Sequence, residues 1–226
     1  MVAVYITDVR QWDEDSLYHK ELALLPKKRQ QHVEGYKHMP DKRRSLAGSI
    51  LLCKAFKEHY PTVDMNRLEF AKGADGKPYI KEYPEFHFNI SHSGNYTVCA
   101  VSNTEIGIDI QQLREVKTDI AARFFSNEER AGIEAFSQGK EQPEAAKKQM
   151  LFRFWAAKEA YVKLTGKGMK ELQSFTVDLE TGHISYRNEN EAVAVWLKEY
   201  DIGSDYVLTV CAKEPDFGDL QVYKIL

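Results

Sequence analysis

The sequence predicts an α+β fold in two halves, and three observations predict it. Helical segments give way to strand-like runs twice along the chain, a Ser102-Asn103-Thr104 turn falls between the two passages, and 43% hydrophobic content over 226 residues is enough to bury sizeable cores. The boundary is set at that turn, giving residues 1–104 and 105–226, the second with a carboxy-terminal extension.

The first half opens on Val2-Ala3-Val4-Tyr5-Ile6, a β-branched apolar run that reads as a strand. Pro26 starts a helix carrying Lys27, Lys28, Arg29 and His32, and Lys42-Arg43-Arg44-Ser45 leads into another with apolar Leu46, Ala47, Ile50 and Leu51. Positive charge at a helix start opposes the macrodipole, so a bound phosphate would relieve it; a solvated basic face explains the pattern equally well. Gly73-Ala74-Asp75-Gly76-Lys77-Pro78 is a loop, because Asp-Gly and Lys-Pro break both helix and strand. Phe86 to Ile90 is a strand running into Ser91-His92-Ser93-Gly94, where a hydroxyl, an imidazole and turn amides suit an anion; a serine-rich turn capping its own backbone is the plainer reading. Tyr96 to Val101 and Glu105 to Ile110 read as a hairpin across the boundary turn.

In the second half, Ile120, Ala121, Phe124 and Phe125 form an apolar helical face, and Ser126-Asn127-Glu128-Glu129 matches a capping box, which by itself accounts for Glu129. Ser137 to Lys148 is polar and reads as a flexible surface segment. Leu151, Phe152, Phe154, Trp155 and Val162 give the next helix a buried side, and Gly166-Lys167-Gly168 ends it. Phe175–Leu179, Ile184–Tyr186, Ala192–Leu197 and Tyr206–Cys211 read as strands of one sheet behind that helix.

The chemistry concentrates in two stretches. In Ile106-Gly107-Ile108-Asp109-Ile110-Gln111, Asp109 and Gln111 share a strand face, and an aspartate between isoleucines costs stability unless it is paired or coordinates something. In the helix, Trp155, Glu159 and Lys163 stand one turn apart on one face with Lys158 at its edge. If strand end and helix face meet, three oxygen donors converge beside lysines, which is the chemistry of a hard divalent cation and phosphate groups. An exposed i, i+4 pair between Glu159 and Lys163 is the plain alternative, worth a few tenths of a kcal/mol.

These residues resemble a known family. Gly107-Ile108-Asp109 followed by Trp155-x-x-Lys158-Glu159-x-x-x-Lys163, together with Gly76-Lys77-Pro78, Phe88 to Gly94 and Arg123-Phe124-Phe125-Ser126, is similar in order and spacing to the signature of the Sfp-type 4'-phosphopantetheinyl transferases, over most of the chain. The resemblance implies the 4'-phosphopantetheinyl transferase fold: two similar α+β subdomains related by a pseudo-twofold axis, a monomer mimicking a dimer, with the site between them. It implies transfer of 4'-phosphopantetheine from coenzyme A to a serine of an apo acyl or peptidyl carrier protein, releasing adenosine 3',5'-bisphosphate, in nonribosomal peptide, polyketide or fatty acid biosynthesis. Asp109, Gln111 and Glu159 would hold Mg²⁺ or Mn²⁺; Lys28, Arg44 and Ser45 the 3'-phosphate; Lys77 and Pro78 the adenosine; Ser91 and His92 phosphate oxygens; Lys158 and Lys163 the diphosphate. Glu159, Lys163 and secondarily Glu129 would be catalytic, a glutamate taking the serine proton. The chain departs from the family pattern at Gln31, where lysine is frequent, at Gln111, where glutamate is frequent, and at Ala156, which replaces a small hydroxyl or thiol residue. Two alternatives use the same residues: a metal-dependent phosphodiester or diphosphate hydrolase, and a non-catalytic module binding coenzyme A or a carrier.

Composition excludes other classes. A formal charge of -3 argues against a general nucleic-acid binder. The three cysteines are odd in number, lie in apolar runs and show no Cys-x-x-Cys spacing, so they read as buried thiols in a reducing compartment. With no signal-like amino terminus and no apolar run near the roughly 18 residues of a span, the expectation is a cytoplasmic protein without membrane contact.

Overall fold

The β-branched amino-terminal run forms strand β1 (Val2–Asp8), buried along almost its whole length. In the computed structural model, residues 1–115, 119–186 and 192–225 are described, and the side chains of Asp119, Ile120 and Ala192 lie outside that description. Helices α1 (Asp15–Leu24), α2 (Lys27–Glu34) and α3 (Met39–His59) follow, then the short pair β2 (Phe70–Lys72) and β3 (Pro78–Ile80), then β4 (His87–Ser93) and β5 (Tyr96–Ser102). Pro40 sits in the first turn of α3, where its missing N–H has no partner to lose. The apolar face of α3 then meets the sheet: Leu51, Leu52, Ala55 and Phe56 cluster with Tyr5, Phe88, Cys99 and Val101.

The following segment holds β6 (Ile106–Gln112), α4 (Asp119–Phe124), α5 (Asn127–Ser137), α6 (Pro143–Thr165), β7 (Phe175–Val177), β8 (Ile184–Tyr186), β9 (Ala192–Val193), β10 (Trp196–Tyr200) and β11 (Tyr206–Ala212), before β12 (Phe217–Tyr223) closes the chain's regular structure. Two compact units result, Met1–Thr104 with Asp216–Leu226, and Glu105–Pro215. Both are mixed α and β.

Four sequence expectations change. The boundary turn does not close a hairpin: β5 already has β4 on one edge and β1 on the other, so β6 pairs with β11 in a separate sheet, order β10-β11-β6. The strands after α6 do not make one sheet, because β7, β8 and β9 pair only with each other. Residues 143–148 are helical, since Pro143 is a good first helical residue and α6 starts there. Lastly, residues 216–226 do not extend the second unit; β12 lies parallel to β1, with Val4 opposite Leu220 and Ile6 opposite Val222.

Helix α6 organises the second unit. Met150, Phe152, Phe154, Ala156, Ala157, Lys158, Ala160, Tyr161, Val162 and Leu164 are all buried, which is more than one stripe, so elements pack on several of its sides. Phe154, Tyr161 and Leu164 cluster with Phe175, Val177 and Ile184, while Phe152 and Ala156 meet Val207 of β11. The helix ends at Gly166, whose φ of +72° provides the left-handed cap.

The approach of α6 to β6 is set by Gly107. A Cβ there would stand 2.0 Å from the Ala160 carbonyl oxygen and 2.5 Å from the Leu164 nitrogen. Both are backbone atoms and cannot turn aside, so Gly107→Ala is expected to lift the helix and cost about 3 kcal/mol or more. Thermal melting checks this; an unchanged midpoint would mean that the helix yields without loss.

Cys99 and Cys211 are buried in the two units and Cys53 is half-buried, all as free thiols, with burial pushing Cys53 up to about 11. Among the described residues no helix is long and apolar enough to cross a membrane.

Candidate active site

The close packing allowed by Gly107 brings the end of β6 against the carboxy-terminal turns of α6. Asp109 is 2% exposed. Lys163 donates from Nζ to Asp109 Oδ1 at 2.6 Å and to the Ile108 carbonyl at 3.2 Å, and Gln111 donates from Nε2 to Asp109 Oδ2 at 2.7 Å. Glu159, half-buried, lies one turn before Lys163. Burial raises its pKa above that of an ordinary glutamate, the negative charge of Asp109 raises it further, and Lys163 offsets part of this. Two carboxylates therefore repel each other across a largely dry site, with one ammonium and one amide beside them. Such a donor set fits a hard divalent cation: Asp109 and Glu159 would supply charged oxygens, and Gln111, which donates from Nε2 to Asp109, would supply a neutral one.

Lys158 and Glu129 are elsewhere. Both side chains are fully buried. Lys158 Nζ donates to Glu129 Oε1 at 2.9 Å, to Oε2 at 3.1 Å and to the Phe175 carbonyl at 2.7 Å, and sits 4.3 Å from the centroid of the Phe175 ring. Glu129 also accepts from the backbone nitrogens of Ser126 and Val177, each at 2.8 Å. The pair ties α5, α6 and β7 together, and its polar atoms are consumed in doing so. This corrects the assignment of Lys158 to the diphosphate and of Glu129 to catalysis. The Arg123-Phe124-Phe125-Ser126 string has a matching explanation: Phe124 and Phe125 pack on Trp155, with ring centroids 5.4 and 6.4 Å away, while Ser126 caps α5 and fixes Glu129.

In the first unit the residues expected at the coenzyme are distributed over α2, α3 and the strands. Lys28 is exposed and reaches the Leu68 carbonyl at 3.4 Å; Arg44 donates to Asp41 Oδ1 at 3.2 Å; Ser45 Oγ is buried without a partner. Lys77 is half-buried beside an Asp75 turn, and Pro78 begins β3. Ser91 and His92 are not in a turn but in β4, which runs through Ser93 before Gly94 turns the chain at φ +54°. As neighbours in a strand they point to opposite faces, Ser91 buried and His92 exposed.

Arg29 and His32, to which the sequence reading gives no role, also lie on α2. The Arg29 guanidinium lies over the Phe70 ring at 5.1 Å and donates to Ser49 Oγ at 2.7 Å, with Nε buried and unpartnered. Burial, then the charges of Arg29 and Lys72, hold the His32 pKa below its ordinary value. Arg29 and Lys72 are thus both close enough to His32 to disfavour its protonation. The i, i+3 spacing of Arg29 and His32 on one helix face was the available signal.

Comparison with known proteins agrees across the chain. The family model described as 4'-phosphopantetheinyl transferase superfamily matches residues 105–211, and that described as 4'-phosphopantetheinyl transferase, N-terminal, matches residues 10–104. A 4'-phosphopantetheinyl transferase of Bacillus subtilis is 35% identical over 200 residues, covering 88% of this chain and 86% of that one. The 4'-phosphopantetheinyl transferase Sfp of Bacillus subtilis (strain 168) is 34% identical over 198 residues, covering 87% and 85%, and a human L-aminoadipate-semialdehyde dehydrogenase-phosphopantetheinyl transferase is 28% identical over 200 residues, covering 78% and 63%. Fold, site and relatives define the class as a transferase enzyme. The chain belongs to the 4'-phosphopantetheinyl transferase superfamily.

Proposed function

We propose that this enzyme moves the 4'-phosphopantetheine arm of coenzyme A onto a serine hydroxyl of an apo acyl or peptidyl carrier protein. The observation that carries the reading is the cluster of Asp109, Gln111, Glu159 and Lys163, where two opposed carboxylates meet a lysine at a strand end. Serine Oγ bonds to the pantetheine-bearing phosphorus, the bond from that phosphorus to the bridging oxygen breaks, and adenosine 3',5'-bisphosphate leaves. Phosphoryl transfer of this kind needs alignment and charge neutralisation more than covalent help.

Asp109, Glu159 and Gln111 would hold Mg²⁺ or Mn²⁺, which when bound would neutralise the diphosphate. Lys163, anchored on Asp109, adds a positive donor for a diphosphate oxygen. Glu159 accepts the serine proton directly or through water. Lys28, Arg44 and Ser45, joined by Arg29 and His32, hold the 3'-phosphate, Lys77 and Pro78 the adenosine, and Ser91 and His92 phosphate oxygens. The enzyme acts as a cytoplasmic monomer, in keeping with its free, mostly buried thiols.

The test is to incubate the protein with coenzyme A, Mg²⁺ and an apo carrier protein and weigh the carrier. A gain of one phosphopantetheine supports transfer. Free phosphopantetheine with the carrier unchanged would make the enzyme a hydrolase. The 3'-phosphate assignment has its own check, because Lys28→Ala should lower kcat/KM for coenzyme A by about tenfold or more and leave 3'-dephospho-coenzyme A nearly unaffected. Equal losses on both substrates would move Lys28 away from that phosphate.

A further inference from the structure

On β11, Thr209 lies directly opposite Asp109 in the antiparallel register, with Val207 opposite Gln111 and Cys211 opposite Gly107. Cross-strand partners share a face, so the Thr209 side chain stands beside the Asp109 carboxylate on the side that α6 covers. Thr209 is 3% exposed and its Oγ1 is buried without a hydrogen-bond partner in the protein. A buried hydroxyl left in that state is costly, and valine fills the same volume on a strand at no such cost. The cross-strand partner of Thr209, Asp109, is a carboxylate buried on the side of β6 that α6 covers.

We propose that Thr209 is a positioning residue for this site: its hydroxyl bonds a water molecule belonging to the cation held by Asp109 and Glu159, and so fixes the oxygen donors around it. The proposal rests on the functional reading above. The neutral Gln111 brings no charge to the site, so orientation of the remaining donors matters more, and groups that orient a metal's ligands commonly affect its affinity by about tenfold or more.

The experiment measures Mn²⁺ binding by electron paramagnetic resonance, in the presence of coenzyme A, for the wild type and for Thr209→Val, Thr209→Ser and Asp109→Ala, with thermal melting of each in metal-free buffer. Thr209→Val should bind Mn²⁺ about tenfold more weakly while melting at the same or a higher temperature, and Thr209→Ser should bind nearly as the wild type. If Asp109→Ala loses Mn²⁺ but Thr209→Val binds as the wild type does, Thr209 is a packing residue and the inference fails alone. It also fails if serine is as poor as valine, or if valine lowers the metal-free melting temperature, since the hydroxyl then has a partner within the protein. Absence of Mn²⁺ binding by the wild type would remove the metal reading itself, and the inference with it.

Discussion

Glu159→Gln and Asp109→Ala are each expected to reduce phosphopantetheine transfer by about a thousandfold or more, because in the proposed mechanism neutralisation of the diphosphate is worth several kcal/mol and depends on both carboxylates. Stability should move the other way for Glu159→Gln. The folded protein binds a proton at Glu159 more tightly than the unfolded chain does, since burial and Asp109 both oppose its charge. A carboxyl with a raised folded-state pKa favours the fold below its unfolded pKa, and that advantage is lost as pH rises through the folded value. At neutral pH and without a metal the glutamate is therefore a burden that glutamine lacks, and in metal-free buffer Glu159→Gln should melt higher than wild type near pH 7, with the difference vanishing in acid. Transfer rates by mass spectrometry and melting as a function of pH check the two halves separately. Near-normal transfer in a folded variant would take that residue out of the reacting cluster.

Lys158→Met is expected to destabilise the protein by about 3–5 kcal/mol, because it strands the Glu129 carboxylate in a dry interior. The opposite substitution, Glu129→Gln, should also be costly, since the amide keeps the shape but loses the charge that Lys158 faces. The decisive comparison is kinetic. At a temperature where Lys158→Met remains folded, its KM for coenzyme A should match that of the wild type. A raised KM with an unchanged melting point would restore Lys158 to the diphosphate and overturn the buried-pair account.

The meeting of Asp109, Gln111, Glu159 and Lys163 was legible because two simple periods specify it. A strand places Asp109 and Gln111 on one face, a helix places Glu159 and Lys163 on another, and a glycine ahead of the aspartate permits contact. Lys158 was misread for a physical reason: a lysine on a helix is nearly always exposed, and α6, buried on several sides, has no single apolar stripe from which an inward lysine stands out. The hairpin expected across Ser102-Asn103-Thr104 failed because a turn signal is local, whereas the occupancy of both edges of β5 depends on β1 and β4. The capping box at Ser126 was readable because both its partners lie within one turn.

The parallel pairing of β12 with β1 has a consequence for the order of assembly during synthesis. Thr7 Oγ1 bonds the Tyr223 carbonyl across a separation of 216 residues, and Val2 is opposite Phe217. The first unit is thus interrupted by the second, and its sheet keeps a bare edge at β1 until translation has passed the whole of Glu105–Pro215. The interrupting segment is continuous and, among the described residues, its strands pair with one another, so it can be completed on the ribosome before the unit that precedes it. In the nascent chain the second unit can therefore mature ahead of the first, with the edge of β1 that β12 will cover left unpaired in the interval.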